Sequence, residues 1–186
     1  MIDRVLVLFM DGVGLGDDDP EVNPFAQTEL PTLQGLLDGR RLVQNNGGYA
    51  TRHATLLPVD AHMGVPGLPQ SGTGQTTILT GVNAPALLGR HYGPYPNQPL
   101  RELLSNGNLF HKLLLAGKPV AFANAYPDQF LDRLDRGTER LSANSRAAHL
   151  AGLKLRGPEE LKAGRAVSSL LTNEYWRQWG YEVPEL

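Results

Sequence analysis

The sequence predicts an α/β domain in which a mostly parallel sheet is flanked by helices. Residues 5–10 (VLVLFM) and 120–123 (VAFA) are runs of apolar and β-forming residues without the polar alternation of a half-exposed strand. Between them lie segments with helical spacing, and strand, helix, strand is the order of right-handed crossovers in such sheets. Glycine (21) and proline (14) are frequent enough to predict many connecting loops, concentrated at residues 12–31 and 58–99.

The first run ends at Asp11, followed by GVGLG, whose glycines permit tight turns, so Asp11 is expected at the carboxyl end of a central strand. Pro31 suits a first helical turn, and Leu33, Leu36 and Leu37 follow at helical spacing. Residues 49–57 read as extended. Residues 100–116 carry leucines at helical spacing, interrupted at Asn106, Gly107 and Asn108 and closed by Gly117, which predicts two helices. Residues 145–153 and 173–179 read as further helices, whereas 128–140 are charged and fit more than one state. No repeat or linker divides the chain, so residues 1–186 are expected to form one domain.

Composition narrows the function. A net charge of -2 gives no basic surplus for nucleic acid or an anionic membrane. The absence of cysteine excludes disulfides, thiolate metal sites and cysteine nucleophiles, leaving oxygen and nitrogen ligands. The run at 5–10 is too short to span a membrane and no cleavage pattern follows it, so a cytoplasmic protein is expected.

The most informative segment is SGTGQTTILTG, beginning at Ser71, where a small-residue turn leads into a helix. Helix N-termini attract anions through unpaired N–H groups and the macrodipole, so Ser71 or Thr73 is placed to sit beside a phosphate. Helix capping accounts for the same residue types. A P-loop does not fit: Pro69 stands at the first glycine position of that motif and Gln75 at the lysine position. The glycines after Asp11 lack the third spacing of a dinucleotide fingerprint.

Asp11-Gly12-Val13-Gly14 after an apolar run, together with the Ser71 segment, resembles the alkaline phosphatase superfamily, closest to its cofactor-independent phosphoglycerate mutase and phosphopentomutase branch. NPF at 23, PTL at 31 and AHMGVPG at 61 add looser likeness, so that the resemblance spans residues 1–126. It implies an alkaline phosphatase-like core holding two divalent metal ions, manganese or zinc with magnesium an alternative, and a small phosphorylated substrate. Asp11 and Ser71 would then bind one ion and Ser71 would be the catalytic nucleophile, since a metal can activate a hydroxyl that is otherwise weakly nucleophilic. The family's hydroxyl lies three residues before a glycine and ten before another, which selects Ser71 through Gly74 and Gly81 and leaves Thr73 as the fallback.

Gln75 stands where that branch has histidine, and becomes a substrate-binding candidate. Arg90, in the polar loop GRHYG, is a second, because guanidinium binds phosphate through paired hydrogen bonds, although a solvated loop charge explains it equally. Asn124, with Tyr126, follows the second run, where ligands of α/β sheets gather, and is a third. His53, His62, His91 and His111 lack paired metal spacing and read as structural or surface residues. Asp17, Asp18 and Asp19 read as a solvated acidic turn.

The sequence departs from the family in its later part. No Asp-His pair occurs, the last aspartate is Asp135, and Asp132, Asp135 and His149 do not reproduce the family's ligand spacing. The chain is therefore expected to represent the N-terminal part of a longer metalloenzyme domain, to be inactive alone, and to leave an unpaired sheet edge prone to self-association. A noncatalytic phosphate- or nucleotide-binding domain is the alternative reading.

Overall fold

The computed structural model describes residues 4–170 and 172–185. The chain divides into two compact units, Met1–Asp60 and Ala61–Leu186. In the first, α1 (Pro24–Gln27) and α2 (Pro31–Leu36) precede an antiparallel pair of short strands, β1 (Tyr49–Ala50) and β2 (Thr55–Leu56), with Tyr49 opposite Leu56 and Ala50 opposite Thr55. Asn23 accepts a hydrogen bond from the Phe25 N–H to open α1, and Pro31 occupies the first turn of α2, where its missing N–H costs nothing.

The second unit is helical. It contains α3 (Ser71–Thr80), α4 (Ala84–Leu88), α5 (Gln98–Asn106), α6 (Leu109–Leu115), α7 (Asp128–Asp135), α8 (Ala143–Leu150), α9 (Pro158–Lys162) and α10 (Glu174–Gln178). The break between α5 and α6 falls where the sequence placed it: Gly107 has φ 153°, and Asn108 accepts hydrogen bonds from the N–H groups of Phe110 and His111.

The mostly parallel sheet flanked by helices does not form. Helix accounts for 39% of the structure and strand for 6%, and the single sheet among the described residues is antiparallel. Parallel pairing is limited to isolated bridges, Gly16 with Val43, Asn124 with Val167 and Ala125 with Arg156. Residues 5–10, expected as a buried central strand, pair with no strand among the described residues, and Val5 and Leu6 are 80% and 88% exposed. An apolar run becomes a central strand only when neighbours satisfy its backbone on both sides, a condition the run itself does not encode. Asp11 consequently begins a turn instead of ending a strand. Residues 120–123 are likewise not a strand; pairing starts at their end, where Val167 N–H donates to Ala123 O at 2.9 Å and Ala125 N–H to Val167 O at 2.9 Å.

Within the second unit, Leu79 of α3, Leu104 of α5 and Ala143 and Ala147 of α8 form one buried cluster. The two alanines are fully buried, and their small side chains let the helices approach closely. Their starts meet one loop: Thr73 N–H donates to Tyr92 O at 2.9 Å, Arg101 Nε to Pro96 O at 3.0 Å, and the Arg140 guanidinium lies 4.5 Å from the centre of the Tyr95 ring. Further along, they meet again at Leu79, Leu104 and Ala147, where Asn108 Nδ2 donates to Ala147 O at 3.3 Å. A second cluster, Leu141, Ala148 and Leu155, is covered by aromatic residues including Phe122, Tyr126 and Phe130. Among the described residues no helix is long and apolar enough to cross a membrane.

Candidate functional site

Helix α3 places the segment that the sequence singles out. Gln70, with extended φ of -128° and ψ of 145°, is its N-cap residue, and its side chain makes no capping hydrogen bond. Ser71 is thus the first helical residue, not the cap, and it is half-buried. Helix geometry offers no intrahelical acceptor to the first N–H groups of α3; the first such bond that forms is Gly74 N–H to Gln70 O, at 2.9 Å.

Residues 92–95 press against this end. A Cβ on Gly72 would come within 2.6 Å of Tyr92 O and 3.3 Å of Tyr95 O, so glycine is required for this contact. A Cβ on Gly93 would lie 3.1 Å from Gln70 Cβ and 3.2 Å from Gly72 N. The Gly93–Pro94 peptide bond is cis.

Thr73, the fallback nucleophile, is fully buried. Its Oγ1 donates to Gln70 O at 3.1 Å, lies 3.4 Å from Tyr92 O, and accepts from Tyr92 N–H at 3.2 Å. A hydroxyl committed to three backbone groups and closed to solvent is poorly placed to meet a substrate. Ser71 and Thr73 therefore differ in accessibility, a distinction that spacing in the sequence does not express.

The remaining turns of α3 are held by threonines bonding back along the helix: Thr76 Oγ1 to Gly72 O at 2.6 Å, Thr77 Oγ1 to Thr73 O at 3.0 Å and Thr80 Oγ1 to Thr76 O at 2.7 Å. These bonds satisfy hydroxyls that burial would otherwise leave costly. Gly81 in the left-handed conformation ends the helix, and Lys112 Nζ donates to Thr80 O at 3.3 Å.

Gln75 is buried in α3. Arg90 is exposed, with its guanidinium 5.6 Å from the centre of the Tyr92 ring. Asn124 lies in the bridge to Val167, and no hydrogen bond among the described residues joins it to α3. Asp11 is exposed in the first unit, beside Gly12 with φ 73°, whereas Ser71 belongs to the second.

His91, read from sequence as structural, has Nε2 3.1 Å from Val65 O, and its ring meets that of His62 edge-on at 6.3 Å between centres. Its Nδ1 is buried and makes no hydrogen bond. Sequence reasoning missed Arg101 and Arg140, which contact Pro96 and Tyr95 of the loop at 92–96; no local motif marks them.

Among the described residues no group of three or more histidine, aspartate or glutamate side chains comes together that could hold an ion, whereas catalytic metal sites commonly use about three protein ligands. No family model matches the chain, and comparison with curated proteins and with solved structures finds no match.

Proposed function

We propose that this is a cytoplasmic phosphoryl-transfer protein acting on a small phosphomonoester, with the Ser71 hydroxyl as the phosphoryl acceptor. The observation that carries the reading is the position of Ser71 as the first residue of a ten-residue helix, behind a cap residue whose side chain makes no capping hydrogen bond. An entering phosphate there meets the positive end of the α3 macrodipole. Its charge would be stabilised by groups already oriented before reaction.

In the transfer, Ser71 Oγ forms a bond to phosphorus as the ester oxygen departs with the bonding electrons. The net proton passes from the serine hydroxyl to the departing alcohol. Water, or a second substrate hydroxyl, then takes the phosphoryl group from Ser71 and restores the serine. Gly74 and Gly81 place Ser71 in the register of the superfamily that the segment resembles, which supports the choice of Ser71. The described residues gather no metal-binding group, so no step is assigned to a metal.

That same observation favours a second reading, in which the end of α3 holds phosphate without accepting it. Mixing the protein with an aryl phosphate, with and without manganese or zinc, separates the two. Phosphoryl transfer predicts release of the aryl alcohol stoichiometric with protein, lost in Ser71→Ala and kept in Thr73→Ser. Phosphate binding without alcohol release would establish the holding role and reject transfer.

A further inference from the structure

We propose that two clefts sharing Tyr181 form a docking site for an extended, proline-rich peptide segment that carries a basic residue. One cleft, of about 280 Å³, is lined by Pro127, Gln129, Trp179 and Tyr181. The other, of about 180 Å³, includes Pro158, Glu159, Lys162, Tyr181 and Glu182 in its wall. Because Tyr181 belongs to both walls, one extended chain can occupy both clefts at once.

The aromatic walls are fixed before any partner arrives. Trp176 is buried, with its ring centre 6.2 Å from that of Trp179 and 5.2 Å from that of Tyr181, and its indole N–H donates to Ser168 Oγ at 3.1 Å. Gly180, with φ 89°, turns the chain back after α10, so that Tyr181 N–H donates to Trp176 O at 3.0 Å. The Tyr181 hydroxyl accepts from the Asp128 N–H at 3.1 Å. Trp179 is nevertheless 55% exposed, and Tyr175, its ring centre 6.3 Å away, is 52% exposed. Rigid exposed aromatic rings of this kind dock a partner with little loss of conformational freedom.

Shape and charge select the occupant. Prolyl rings pack on aromatic faces, and a polyproline II segment arrives already extended, with carbonyl groups that can accept from the Trp179 indole N–H and the Gln129 amide. At the second cleft Glu182 is answered by Lys162 Nζ at 2.8 Å, and Arg177 is held by Glu185 at 3.8 Å. No ion pair among the described residues involves Glu159 or Asp128. The excess of carboxylates favours lysine or arginine on the incoming segment and disfavours an acidic one. Polyproline II rises about 3.1 Å per residue, so a basic residue about two or three positions from the docked proline reaches past a single tyrosine side chain.

Fluorescence anisotropy of labelled synthetic peptides titrated with the full chain tests the site. The probe carries paired prolines followed by arginine; in one control alanine replaces the prolines, and in the other glutamate replaces the arginine. The probe is expected to bind, with affinity about tenfold lower for either control and falling with salt. Trp179→Ala should weaken the probe about tenfold, and Glu159→Gln should weaken it while leaving the glutamate control unchanged. Tyr181→Phe keeps the ring and is expected to bind as wild type does, and circular dichroism checks that each variant folds. No binding by folded wild type, equal binding of the three peptides, or full affinity in folded Trp179→Ala would overturn the site. Competition of the probe by tetramethylammonium at equal concentration would overturn it in favour of a small-cation site. Ser71→Ala is expected to keep peptide binding, so this surface and the phosphoryl-transfer reading fail separately.

Discussion

Thr73 and Tyr92 clamp one another: the Thr73 N–H donates to Tyr92 O at 2.9 Å while the Tyr92 N–H donates to Thr73 Oγ1 at 3.2 Å. This reciprocal pair locks the loop at 92–95 onto the first turn of α3. It assigns Thr73 to holding that loop against the helix, whereas Ser71 is only half-buried.

Thr73→Val removes the hydroxyl while preserving shape, leaving the Tyr92 N–H without its acceptor. The expected loss of stability is about 1–3 kcal/mol, the cost of an unsatisfied buried group. Thr73→Ser keeps the hydroxyl and loses only a methyl group, about 1 kcal/mol. Urea unfolding of the two variants checks the difference; equal losses would show that packing, not the clamp, sets the effect.

Gly72 and Gly74 flank Thr73 in α3 and are expected to respond oppositely to alanine. Gly72→Ala drives a Cβ to 2.6 Å from Tyr92 O, so the loop must move, at about 1–3 kcal/mol. Around Gly74 a Cβ meets nothing within 4 Å, and alanine there should stabilise the helix by about 0.5–1 kcal/mol. Thermal melting of both variants reads the signs directly.

Asn108 joins three helices and is fully buried. Its Oδ1 caps α6, and its Nδ2 donates to Leu104 O at 3.1 Å and Ala147 O at 3.3 Å. Asn108→Ala is expected to destabilise the fold by about 2 kcal/mol, from the lost cap and the unpaired carbonyls. Denaturant unfolding provides the test, with a change below about 0.5 kcal/mol counting against it.

Tyr126 titrates above its ordinary value because burial disfavours the phenolate, partly offset by its hydrogen bond with Ser145. Its folded value exceeds the unfolded one near 10, so its contribution to stability is complete below about pH 10 and is lost as pH rises through the folded value. Stability should therefore fall with alkaline pH in wild type and fall less steeply in Tyr126→Phe. Parallel slopes in unfolding free energy between about pH 9 and 11 would refute this.

Local signals made much of the helical framework legible. Pro31 opens α2, Gly81 ends α3 with φ 77°, and the Asn106-Gly107-Asn108 break separates α5 from α6, each because one residue's backbone preference decides the conformation. Residues 5–10 misled because apolarity specifies burial but not the neighbours a strand must pair with. The Ser71 segment was legible as a helix start, whereas the burial of Thr73 depends on Tyr92, nineteen positions away. The contacts of Arg101 with Pro96 and of Arg140 with Tyr95 likewise join parts of the chain that no short window of sequence contains.

In the proposed reaction Ser71, not Thr73, receives the phosphoryl group. Rapid quenching of the protein with an aryl phosphate and added manganese or zinc, followed by peptide mapping, tests it most directly. Phosphate is expected on Ser71, with the Ser71→Ala variant unlabelled. Phosphate mapped to Thr73, or label that persists in Ser71→Ala, would contradict it.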